Sequence, residues 1–145
     1  MTIAEFVKQF NKEQNKENFV KKHITNNYVK YAEKIARCRN IIQICCYSSI
    51  GEKTFFKINS PVKAMLLQMT LIQCYTDIEI DASDLDGYDM LMQSKVFGTI
   101  IKSIDESEII LFNSILDMMI DDEIMNTRDI VSFLETTIIL LLKVM

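Results

Sequence analysis

Apolar residues recur at three- and four-residue intervals through most of this chain, the spacing of helices with one buried face. Thr2 and Glu5 form a capping box ahead of Phe6, Val7 and Phe10, which share a face. Phe19, Val20 and Ile24 make a second short stripe. From Asn27 to about Cys46 the apolar positions Tyr28, Tyr31, Ile35, Cys38, Ile42 and Cys45 predict one long amphipathic helix. Its polar side carries Lys30, Lys34, Arg37 and Arg39. Ser48 to Glu52 is the clearest break, and Lys53 to Ile58 reads as a short strand or an extended linker without an evident pairing partner.

Ser60-Pro61 then opens a helix, Ser as N-cap and Pro where its missing donor costs nothing. The nearly unbroken apolar run from Val62 to Tyr75 marks that helix as central. Ser83 or Asp84 caps a helix bearing Leu85, Tyr88, Met90, Leu91 and Met92. Another spans Val96 to Ile104, weakened in its middle by Gly98. Asp105 to Glu108 supply a negative first turn for a helix running through Phe112 to Ile120. The last helix is expected from Asn126 or Thr127 to about Lys143. The pattern predicts an all-α fold: a compact single-domain bundle of six to eight helices, with at most one short strand or extended segment near 53–58.

Composition agrees with this and adds a charge asymmetry. The 145 residues are 49% hydrophobic, with one Pro and three Gly, enough for one domain with a real core and no disordered tract. Nine methionines are read first as core filling. Residues 1–60 hold 11 Lys/Arg against five Asp/Glu, whereas residues 61–145 hold five against 15. The domain, 1–145, thus has a basic helical part (1–50) and an apolar, acidic helical part (60–145). Opposite fields of this kind hold a chain together, pair two copies, or steer a charged partner.

Glu5, Lys8 and Lys12 interrupt any signal-peptide core, and the run Ile138 to Leu142 is far too short to span a bilayer, so a soluble intracellular chain is expected. Within that last helix, Ile138, Leu141, Leu142 and Val144 are expected to pack in the core in preference to forming a homodimer seam. Cys38, Cys45, Cys46 and Cys74 show no CxxC and no ligand spacing to His23, so neither disulfides nor a metal is expected.

The acidic tract Asp77, Glu79, Asp81, Asp84, Asp86 and Asp89 fails as a calcium loop. Counted from Asp77, position six is Ala82 and position twelve is Tyr88, where Gly and a bidentate acid are required. Ile78 and Ile80 alternate with the acids, and a segment with one buried face explains the spacing without a metal. No nucleophile is arranged around His23, no phosphate-cradling loop surrounds Gly51 or Gly87, and no catalytic residue, cofactor or enzyme activity is expected. A basic face with Tyr28 and Tyr31 among its lysines would suit phosphate binding and base stacking, but the tyrosines fall on the apolar stripe.

Tyr75-Thr-Asp-Ile-Glu-Ile80 and Tyr88-Asp-Met-Leu-Met92 resemble segments of small helical proteins encoded by phages and prophages of Gram-positive bacteria, with Met90 where those carry a leucine. The likeness spans about residues 55–125. It implies phage origin, a place in the host cytoplasm or the virion, and no catalytic residue. The expectation is a noncatalytic protein–protein interaction module, an assembly factor, virion component or host-system inhibitor. It would dock a phage or host protein, or further copies of itself, through Asp81, Asp84, Asp86 and Asp89 or through Lys30, Lys34, Arg37 and Arg39. Nucleic-acid binding by the basic half is the alternative, and no membrane partner is expected.

Overall fold

A computed structural model describes residues 1–127 and 130–145, with side chains outside 127–133. Among the described residues there are eight helices and one hairpin: α1 (Ile3–Lys12), α2 (Lys16–Lys22), α3 (Tyr31–Cys45), β1 (Tyr47–Ile50), β2 (Lys53–Phe56), α4 (Ser60–Tyr75), α5 (Leu85–Ser94), α6 (Val96–Ser103), α7 (Glu106–Thr127) and α8 (Ile130–Val144). The expected helical bundle is present.

Local chemistry sets the boundaries. The Thr2–Glu5 capping box forms as read from the sequence, each side chain meeting the other's backbone amide. Asn59, one residue before the expected Ser60, caps α4 by accepting from the Val62 amide at 3.3 Å. The break after α3 is a strand in its own right. β1 and β2 pair antiparallel, Tyr47 opposite Phe56 and Ile50 opposite Lys53, around Gly51 at φ +62° and Glu52. Gly takes that left-handed turn position without a Cβ penalty, so Lys53–Phe56 has the partner that the sequence did not disclose. Asn126 and Thr127 belong to the last turn of α7, which corrects the expected start of the final helix.

The core is built where α3 packs on α4 and α7, with α1 on α5 and α2 on α6 beside it. α4 supplies Leu66, Met69, Leu71, Ile72 and Tyr75, and α7 supplies Phe112, Ile115, Leu116 and Ile120. The chain after α4 runs extended over residues 76–80. It is tied to the N-terminus by the Glu79 amide on the Met1 carbonyl (2.8 Å), and to the α2 end by the Thr25 amide on the Tyr75 carbonyl (2.9 Å). Ile78 and Ile80 point into the core while Asp77, Glu79 and Asp81 face solvent, which is the alternation that the sequence suggested.

One helix stands apart from this packing. α8 leaves Leu134, Ile138, Leu140, Leu141, Leu142 and Val144 more than half exposed. The expectation that Ile138, Leu141, Leu142 and Val144 pack in the core is therefore corrected, and the place beside α3 is taken by Phe112, Ile115, Leu116 and Ile120 of α7.

Candidate functional site

Lys34, expected on the exposed basic face, is fully buried. It lies on α3 in line with Cys38, Ile41 and Cys45, which are also buried, because positions four and seven apart share a helix face. Its ammonium lies 2.7 Å from Glu108 Oε2 and donates to the Val29 carbonyl at 2.8 Å. Glu108 Oε2 also accepts from the Val29 amide at 3.1 Å and from the Tyr75 hydroxyl. The Tyr28 ring, 4.7 Å from the ammonium, covers it from outside. Burial alone would raise the Glu108 carboxyl, but the bonds from Lys34, Tyr75 and Val29 outweigh it and hold the group below its usual range. Burial, then the Glu108 carboxylate, push the Tyr75 phenol far up. This node ties α3, α4 and α7 together with its charges satisfied.

The remaining basic residues do not form one patch. Lys30 lies exposed at the start of α3 beside Tyr28 and Tyr31, which are 64% and 48% exposed and so off the apolar stripe assigned to them. Arg37 reaches Gln73 and Glu33, both at 3.4 Å. It lines a groove of about 310 Å³ between α3 and α4, together with Ile41, Leu66, Met69 and Ala82. Arg39 lines a second groove of about 490 Å³ on the other side of α3, opposite Asp122 and Glu123 of α7. There Tyr47 of the hairpin donates to Glu123, whose carboxylate, with burial, pushes the phenol up to about 12.

The acids divide as well. The Asp81 carboxylate accepts from the Ser83 amide and hydroxyl, both at 2.8 Å, and these bonds hold it below its usual range. Asp84 caps α5 through the Gly87 amide at 2.8 Å. Both serve the turn that carries them, whereas Asp86 and Asp89 are exposed on α5. The two differently charged parts are joined by the ion pairs Met1–Glu79 and Lys34–Glu108 and by a 2.9 Å hydrogen bond between His23 Nδ1 and the Asp77 carboxylate. Of the 11 Lys/Arg in residues 1–60, Lys34 reaches an acid of residues 61–145 through its ion pair. All four cysteines are free and buried, and no group of His, Cys, Asp or Glu among the described residues could hold a metal ion.

What remains open is α8. Glu135, Thr136, Ile139 and Lys143 face Lys53, Thr54 and Phe55 across a groove of about 210 Å³. At 100° per residue, Leu134, Ile138 and Leu141 fall on the opposite side of the helix, with Leu142 at its edge. Met145 joins them, its amide continuing the helical ladder onto the Leu141 carbonyl at 3.2 Å. The exposures of these five side chains run from 51% to 98%. The sequence signal was available in the spacing of Leu134, Ile138, Leu141 and Met145, the four-three-four pattern of a helix-pairing seam. No helix among the described residues is long and apolar enough to cross a membrane. No family model, curated protein or solved structure matches this chain.

Proposed function

We propose that the protein is a noncatalytic protein–protein interaction module that docks through the outer face of α8. The observation that carries this reading is the row Leu134, Ile138, Leu141, Leu142 and Met145, aligned on one helix and open to solvent. Contiguous apolar surface beyond a few hundred Å² marks an interaction site more often than it survives idle. The polar groups that acid–base chemistry would use, Lys34, Glu108 and Tyr75, are engaged with one another inside the core. The setting suggested by Tyr75–Ile80 and Tyr88–Met92 is a phage, with a phage or host protein as the partner.

The test compares wild type with Ile138→Glu/Leu141→Glu by native mass in extracts of the cells that make it. The expected result is wild type in an assembly heavier than the 16.9 kDa chain and the variant at chain mass. Both at chain mass would remove the reading.

A second reading, nucleic-acid binding, is supported by the exposure of Tyr28 and Tyr31 beside Lys30, which offers rings for base stacking next to a cation. It predicts salt-sensitive binding of short single-stranded DNA that is lost in Lys30→Glu with Tyr31→Ala. Lys34 would take no part in it.

A further inference from the structure

We infer that the partner of α8 is a second copy of this chain, packed antiparallel along the same helix. This rests on the reading of α8 as a protein-docking face and names its occupant. Leu134, Ile138, Leu141 and Met145 are spaced four, three and four apart, so the row reads the same from either end. A two-fold axis midway between Ile139 and Leu140 sets Leu134 against the other copy's Met145, and Ile138 against its Leu141. Such self-complementarity is what an isologous interface requires and what an unrelated partner would not need.

Area and the helix dipoles agree. At their observed exposures the row and Leu142 present roughly 600 Å² on one copy, so a pair that covered them completely would bury roughly 1,200 Å², the lower edge of specific stable interfaces. Antiparallel pairing about that axis opposes the two helix dipoles, whereas parallel pairing aligns like with like. A membrane surface fits less well, because a helix lying on lipid carries several cations along its polar face and this one carries a single lysine.

The purified full chain is measured by light-scattering-coupled size exclusion over a dilution series, beside Ile138→Glu/Leu141→Glu. The expected result is twice 16.9 kDa for wild type and 16.9 kDa for the variant, with unchanged helical circular dichroism. Mild oxidation of a mixture of Leu134→Cys and Met145→Cys is expected to link the two variants to each other. Leu134→Cys linking to itself would overturn the antiparallel pairing. A variant that stays dimeric places the interface elsewhere and also overturns the proposal.

Wild type at 16.9 kDa throughout overturns it too, and thiol labelling of Ile138→Cys and Leu141→Cys then separates the two ideas. Labelling as fast as that of a free peptide thiol would leave an open docking face for another protein, and only the second copy falls. Slow labelling in a monomer would mean that the chain covers this face itself, and both readings fall. A monomer that sediments with phosphatidylcholine–phosphatidylserine vesicles would make lipid the occupant.

Discussion

Lys34 and Glu108 show why a charge in a core is tolerated without being a source of stability. Each ion has lost water, and their attraction, with the bonds from Val29 and Tyr75, roughly offsets that loss. Removing one partner is therefore worse than removing both. Lys34→Met is expected to lower the unfolding free energy by about 3–5 kcal/mol, while Lys34→Met with Glu108→Leu should recover part of that loss, the remainder being the Val29 and Tyr75 groups left without partners, at about 1–3 kcal/mol. Urea unfolding of both variants checks this.

The same carboxylate sets an acid limit. Its folded-state value lies below the ordinary 4.5, so the stability it contributes is present above that value and is lost as the pH falls through the lower, folded one. A plot of melting temperature against pH should fall more steeply below about 4.5 in wild type than in the double variant, which has no such carboxylate. The pair was legible in principle. Lys34 stands four before Cys38 and Glu108 four before Phe112, each on its helix's buried stripe. Reading the stripe of α3 from Tyr28 and Tyr31 instead put Lys34 outside and the rings inside, because a tyrosine counts as apolar in a periodicity though its hydroxyl is content in water.

At the scale of elements, two glycines in helices make opposite demands. Gly87 is buried where α5 meets α1. A Cβ there would stand 2.3 Å from the Asp84 carboxylate that caps the helix, and 2.7 Å from Cδ1 of Ile3. Gly98 in α6 has open space around it. Gly87→Ala should cost about 1–3 kcal/mol despite alanine's better helix propensity, since it displaces both the cap and the α1 contact. Gly98→Ala should add about 0.5–1 kcal/mol. Thermal melts that reversed these signs would contradict the packing of α1 on α5. The ends of most helices were readable because caps and turns are local chemistry. The hairpin was not, because pairing Tyr47–Ile50 with Lys53–Phe56 hides one strand inside what looked like a break: Ser48, Ser49 and Gly51 carry the composition of a loop. For α8 the apolar spacing was plain, but what covers an apolar face is a property of neighbours and not of the helix's own pattern.

For the whole molecule, charge and sulfur both report on how the two ends of the sequence meet. Contacts from Met1, His23 and Lys34 reach Glu79, Asp77 and Glu108, so the basic and acidic parts are joined at three points. Cys38, Cys45 and Cys46 at α3 and its junction with β1, with Cys74 on α4, lie inside that meeting point and are all buried. Burial pushes Cys38 up to about 11 and Cys46 to about 12, so at neutral pH neither is a thiolate while the fold is closed. A thiol reagent added to the native protein should therefore wait for the centre to open. Its rate of uptake would time the chain's spontaneous excursions out of the folded state without denaturant, label or engineered residue. The four sulfurs should react together if α3 and α4 part in one step, and in sequence if they do not.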